Sequence, residues 1–210
     1  MTNGSKLLKQ FFNSNNFKGS FQSCKNISPA SNLIECCFIG RSNVGKSSII
    51  NAITKTKNLA KISNTPGRTQ SINIFEINKC INLVDLPGYG FAKVSKVMRY
   101  NLSILIEDYI KNRSNLEHAY VLIDAKVGPK SLDIDMFDFL AEYNRLFSIV
   151  ITKVDKCSKL HLEVLEKSIN SLMESYSGVF EKIFFTSTKK IQGIIDIQKD
   201  IYQLSKKNEI

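Results

Sequence analysis

Eight residues constrain this chain more than any others: Gly40-Arg41-Ser42-Asn43-Val44-Gly45-Lys46-Ser47, which satisfy the pattern G-x-x-x-x-G-K-[ST]. They follow an apolar run, Ile34 to Ile39, that reads as a strand, and they precede a segment, Ser48 to Thr56, able to form a helix. A strand turning into a helix over a glycine-flanked loop makes a cradle of backbone N–H groups for phosphate. The helix N-terminus adds its favourable dipole to the same anion. Gly40 and Gly45 allow the backbone to close around a polyphosphate. Lys46 then reaches the β and γ phosphates, and the Ser47 hydroxyl is placed to ligate a magnesium ion. The loop reads as a site for a nucleoside phosphate with Mg2+ as cofactor.

Thr152-Lys153-Val154-Asp155 follows a second apolar run, Phe147 to Ile151, and fits the guanine-reading pattern [NT]-K-x-D. The Asp155 carboxylate can accept from both N1–H and the 2-amino group of guanine. Adenine offers neither donor and would leave a charged acceptor unpaired. Lys153 can lay its aliphatic stem across the base and reach back toward the phosphate loop. Asp85-Leu86-Pro87-Gly88 closes a third strand-like run; its Asp can hold magnesium through water, and the Gly88 N–H can bond the γ-phosphate. Between these loops lies Thr65-Pro66-Gly67-Arg68-Thr69-Gln70, whose Thr69 would supply a second magnesium-ligating hydroxyl. Gly67, Arg68, Thr69, Gln70 and Ser71 are assigned to the nucleotide, with Lys46, Thr69 and Gly88 as the residues acting on the transferred phosphate. Four motifs in this order describe a GTPase exchanging GTP and GDP.

The rest of the chain alternates strands and helices, the pattern of a mostly parallel α/β sheet. Strands are predicted at 34–39, 72–77, 80–85, 119–124, 147–152 and 182–186, and helices at 46–56, 98–113, 131–144, 158–176 and 192–205. Only Asn78-Lys79 separate the second and third strands, too short a link for a parallel crossover, so that pair must be an antiparallel hairpin. No run of apolar residues is long enough to span a membrane, and the first 18 residues lack the apolar core of a signal peptide. The five cysteines show no metal-binding spacing, which fits a cytoplasmic protein. With 29 Lys+Arg against 19 Asp+Glu the net charge is +10, an excess that favours a polyanionic partner such as RNA. Residues 1–22 read as an N-terminal arm, docked or flexible, beside a single domain, residues 23–210; its Phe11, Phe12, Phe17 and Phe21 could stack on bases, but docking of the arm on the domain is the favoured reading.

G-R-S-N-V-G-K-S, T-P-G-R-T-Q, D-L-P-G-Y-G-F-A-K-V-S-K and T-K-V-D-K together resemble the EngB (YihA/YsxC) family of bacterial ribosome-biogenesis GTPases, of the TrmE–Era–EngA–YihA–Septin-like class. Asp124-Ala125-Lys126-Val127-Gly128-Pro129 is similar to that family's D-x-R-x-G-P segment, with Lys126 where Arg is common. The resemblance implies a three-layer, Ras-like G domain on a six-stranded sheet, probing guanine also through Phe185, Thr186 and Ser187, whose backbone N–H groups would contact its O6. It further implies a monomer that switches assembly of the large ribosomal subunit, with ribosomal RNA as partner, and a part in cell division and septation. The alternative is a division factor acting through a protein. Tyr89 stands where Ras-like enzymes carry the Gln that orients the attacking water, so intrinsic hydrolysis is expected to be slow. Asn43 resembles the Asn that coordinates K+ in related GTPases.

Overall fold

The computed structural model describes residues 3–27, 33–56, 59–60, 70–90 and 95–207. Gly67, Arg68, Thr69 and Lys93 lie outside the described residues. In chain order the elements are α1 (Asn3–Asn13), β1 (Asn15–Phe21), β2 (Ile34–Gly40), α2 (Lys46–Thr54), β3 (Ile72–Ile77), β4 (Ile81–Asp85), α3 (Lys96–Asn112), β5 (Leu116–Asp124), α4 (Ser131–Glu142), β6 (Phe147–Thr152), α5 (Lys159–Met173), β7 (Phe180–Phe185) and α6 (Ile194–Lys206). The strands form one sheet in the order β1-β3-β4-β2-β5-β6-β7. From β4 to β7 every neighbour is parallel, whereas β1–β3 and β3–β4 are antiparallel.

Each residue of β2, β4 and β6 is buried, so these strands are covered on both faces, as expected when helices lie on both sides of a parallel sheet. On one face Cys37, Ile39, Val121 and Ile149 pack with Ile110 of α3, Phe137 of α4 and Ile169 of α5. On the other Cys36, Phe38, Leu122 and Val150 pack with Phe12 of α1, Ile50 of α2 and Ile201 of α6. Two layers of helix thus enclose the sheet.

The sheet has seven strands where the sequence reading counts six. The additional strand, β1, is Asn-Asn-Phe-Lys-Gly-Ser-Phe, with a register shift between Phe17 and Gly19. Its polarity suits an edge: Lys18 pairs across to Glu76 at 3.2 Å, a charge of the kind that blunts exposed strand edges. Helix α1 precedes it, and its Leu8, Phe11 and Phe12 fall at i, i+3 and i+4 and are buried. The Phe11 ring meets Tyr202 of α6 edge-on, with centroids 5.1 Å apart. The β3–β4 hairpin turns through Asn78, Lys79 and Cys80, one residue more than the two-residue link read from sequence. Asn78 and Lys79 are both left-handed, at φ 51° and 57°, and Cys80 N–H closes the turn on Ile77 O at 2.9 Å. Among the described residues no helix is long and apolar enough to cross a membrane.

Candidate functional site

Parallel strands bring their carboxyl ends to one edge, and Gly40 (β2), Asp85 (β4), Asp124 (β5), Thr152 (β6) and Phe185 (β7) all stand there. Open α/β sheets bind ligands at that edge. The loop from Gly40 to Ser47 turns from β2 into α2 through Asn43 at φ 62° and Gly45 at φ 109°. Gly45 takes a backbone conformation in which a side chain is strained. Lys46 opens α2 as a buried residue, and its ammonium is ion-paired with the buried carboxylate of Asp85. Ser47 follows it, half-buried. The Ser42 hydroxyl is buried with no hydrogen-bond partner among the described residues.

Leu86, Pro87 and Gly88 continue from Asp85 as buried, irregular backbone. A methyl group on Gly88 would lie 3.1 Å from Gly40 O and 3.3 Å from Ser42 N, tighter than side chains ordinarily pack, so glycine suits this close approach to the phosphate loop. Tyr89 then pairs with the loop through its own backbone: its N–H donates to Gly40 O at 3.2 Å, and its carbonyl accepts from Ser42 N–H at 3.1 Å. Gln70 and Ser71 lead into β3, and Gln70 is exposed.

Thr152, Lys153, Val154 and Asp155 are tied to the phosphate loop across more than a hundred residues of sequence. Thr152 Oγ1 donates to Val44 O at 2.6 Å, and Lys153 Nζ donates to Asn43 O at 2.7 Å. Lys153 is left-handed, at φ 59°. Its ammonium also meets Asp124 Oδ2 at 2.8 Å, while Asp124 Oδ1 accepts the Lys126 N–H at 2.9 Å. Asp124 was not assigned to the site from sequence; its position at a strand's carboxyl end was the available signal.

Asp155 Oδ1 accepts from the Ser187 hydroxyl at 2.6 Å. That hydrogen bond, aided by nearby Lys189 and Lys190, holds the Asp155 carboxyl below the usual carboxylate range, so an ionised acceptor is presented. The backbone N–H groups of Thr186 and Ser187 do not point outward, as the sequence reading has them. They donate to Ile151 O at 2.7 Å and Gln192 O at 3.1 Å. Extension of the β6–β7 pairing consumes the first, and a small bridge to Gln192 consumes the second, so Ser187 contributes through its side chain.

The fold and these loops define a P-loop GTP-binding domain. Residues 35–153, more than half of the chain, match the family described as "50S ribosome-binding GTPase". The chain is 42% identical over 166 residues to a "Probable GTP-binding protein EngB" of Cereibacter sphaeroides, covering 79% of this chain and 76% of that one. A protein of the same name from Cytophaga hutchinsonii is 38% identical over 186 residues, covering 89% and 92%. A crystal structure of a probable GTP-binding protein EngB superposes with TM-score 0.65 at 25% identity, over 82% of this chain and 99% of that one. Era, in complex with MgGDPNP and nucleotides 1506–1542 of 16S ribosomal RNA, shares the fold at TM-score 0.65 and 21% identity, over 81% of this chain and 56% of that one. The chain belongs to the EngB family of GTP-binding proteins and is a GTPase.

Proposed function

We propose that this GTPase is a GTP-operated switch acting in assembly of the large ribosomal subunit in the cytoplasm, as a monomer that contacts ribosomal RNA. What carries the reading is the match over residues 35–153 to a family described as ribosome-binding. The net charge of +10 supplies a physical reason for an RNA partner. In this reading Lys46 and the N–H groups of Asn43, Gly45, Lys46 and Ser47 hold the phosphates, and Asp155, oriented by Ser187, reads guanine. Lys153 packs on the base. Gly88, and Thr69 in the other switch loop, sense the γ-phosphate.

The donor set fits magnesium. The Ser47 hydroxyl is a hard oxygen donor of the kind Mg2+ takes in small number while phosphates and waters complete its shell, and the Asp85 carboxylate can hold the ion through one of those waters. Bound there with Thr69, the ion would neutralise charge on the phosphates. Tyr89 cannot orient water as a Gln does, which supports slow intrinsic turnover. Asn43 is exposed at the tip of the phosphate loop, so its amide oxygen is open to K+. Equal hydrolysis in sodium and potassium buffers would remove K+ from the scheme.

Lys96 and Arg99 are exposed at the start of α3, directly after the second switch. A nucleotide-dependent change there moves positive charge relative to bound RNA, coupling GTP to RNA affinity reciprocally. The test is sedimentation of the protein with ribosomal subunits in GTP, GDP and a non-hydrolysable analogue. Tighter binding to large-subunit particles with GTP than GDP, weakening steeply with salt, is expected. Replacing Lys93, Lys96 and Arg99 by Ala should lower that affinity and leave GTP affinity nearly unchanged. If no nucleotide state binds ribosomes, the reading fails and a division partner of protein nature replaces it.

A further inference from the structure

Asp133 lies in the first turn of α4, outside every nucleotide-binding motif, and it is completely buried. A buried carboxylate must be satisfied, and this one takes two hydrogen bonds and one ion pair. Its Oδ2 accepts the Lys130 N–H at 2.8 Å, which fixes it to the helix N-terminus. Arg41 of the phosphate loop places Nε 3.2 Å from the same oxygen, and its Nη2 donates to Gly128 O at 3.2 Å. The Tyr89 hydroxyl donates to Oδ1 at 2.8 Å. Burial, and then the Asp133 carboxylate beside it, push the Tyr89 phenol well above its usual range, so it stays a neutral donor.

One carboxylate therefore ties the second residue of the phosphate loop to the residue that follows Asp85-Leu86-Pro87-Gly88. Tyr89 is held by its side chain at Asp133 and by its main chain at Gly40 and Ser42. Gly88 sits immediately before that triple anchor, against the loop, where a Cβ would stand only 3.1 Å from Gly40 O. The phenol is directed at α4, so it serves as a tether and not as a group on the reacting water.

We infer that Asp133 is a positioning residue for the γ-phosphate: through the Tyr89 hydroxyl and Arg41 it holds the Gly88 N–H at the distance from the phosphate loop that distinguishes GTP from GDP. This rests on the reading that Gly88 meets the γ-phosphate. GDP lacks that phosphate, so its affinity should not depend on the tether.

The test compares affinities of the full chain for GDP and for a non-hydrolysable GTP analogue in wild type, Tyr89→Phe, Asp133→Asn and the double variant. Tyr89→Phe keeps the ring and removes only the hydroxyl, so it carries the test should Asp133→Asn fail to fold, as judged by circular dichroism. Loss of a hydrogen bond to a charged group should weaken the analogue about tenfold and leave GDP within about twofold. The double variant should be no weaker than the worse single one, since both cut one linkage. Analogue binding equal to wild type in Tyr89→Phe, or an equal fall for GDP and analogue, would overturn the inference. Gly88→Ala separates the premise: if it too leaves the preference for the analogue over GDP intact, Gly88 does not sense the γ-phosphate and the underlying reading has failed.

Discussion

Asp124→Asn isolates a single interaction in the base-binding half of the site. The amide oxygen of Asn can still accept the Lys126 N–H, which Asp124 Oδ1 takes at 2.9 Å. What disappears is the negative charge 2.8 Å from Lys153 Nζ. The two side chains are 32% and 18% exposed, so the pair is neither fully screened nor fully desolvated. Exposed ion pairs contribute up to about 1 kcal/mol, and hydrogen bonds to charged groups about 1.5–3 kcal/mol. A partly exposed pair falls between, at about 1–2 kcal/mol, and that range converts to roughly fivefold to thirtyfold in affinity. Lys153 would keep Asn43 O as its one fixed partner, and its stem would lose the second point that sets it over the base.

The measurement is titration of GDP and a GTP analogue, at low and moderate salt, with thermal unfolding as a control. Both nucleotides carry the same base, so both should lose affinity by the same factor while the melting temperature hardly moves. A loss under twofold, or one confined to the GTP analogue, would refute the assignment of Asp124 as the residue that positions Lys153.

Asp155→Asn should weaken GTP by about two orders of magnitude and admit xanthosine nucleotides, whose 2-oxo group needs a donor; competition between xanthosine and guanosine diphosphates checks it. Guanine recognition needs the ionised carboxylate, whose titration Ser187 shifts downward, so binding persists below the usual carboxylate range and is lost only as pH falls further. Ser187→Ala should move that acid edge upward toward the ordinary carboxylate range, measured as GDP affinity across about pH 3 to 5. Phe12 is fully buried, and Phe12→Ala should cost about 3–5 kcal/mol in urea unfolding with nucleotide affinity unchanged; a cost under about 1 kcal/mol would mean that α1 is not docked. Lys46→Ala leaves Asp85 buried without its ion partner, so the ligand-free domain should lose about 3–5 kcal/mol. Adding Asp85→Asn should restore much of that stability and none of the nucleotide binding.

The parallel core was legible because its strands are predominantly apolar runs, β2 interrupted only by Glu35 and β6 by Ser148, and its helices keep apolar residues at helical spacing. The edge was not. Asn15 to Phe21 is half polar and contains Gly19, so nothing in its local pattern distinguishes a strand from a loop; pairing with Ile72 to Ile77 makes it one. Motif order indicates which loops gather at the sheet's edge, since strand ends of a parallel sheet must meet there. The side chains that orient those loops were hidden for a different reason. Ser187 on Asp155, Asp124 on Lys153 and Asp133 on Tyr89 are contacts across 32, 29 and 44 residues, set by how neighbouring strands and helices align. No local spacing encodes such pairs. Ser187 in particular was read for its backbone N–H, which a local bridge to Gln192 O had already claimed.

The phosphate loop shows how the fold prepares an anion site before any anion arrives. A loop of this length has as many carbonyls as N–H groups, and inward-facing carbonyls would repel phosphate. Here the carbonyls are drawn away one by one: Gly40 O by Tyr89 N–H, Arg41 O by Val44 N–H, and Gly45 O by Ile49 N–H within the opening turn of α2. Asn43 O and Val44 O are drawn to Lys153 and Thr152, the first two residues of the guanine-reading segment. The Ser42 and Val44 N–H groups are spent on Tyr89 O and Arg41 O, which leaves those of Asn43, Gly45, Lys46 and Ser47 as the polar face toward the ligand, the condition for a backbone nest. Two of the five anchors come from the base-reading loop and one from the second switch, so the same contacts that shape the phosphate site also fix where the base and the γ-phosphate sensor stand. Nucleotide affinity and switching are therefore built on one set of hydrogen bonds, and a substitution at Thr152 or Lys153 disturbs the phosphate end of the ligand as directly as the guanine end.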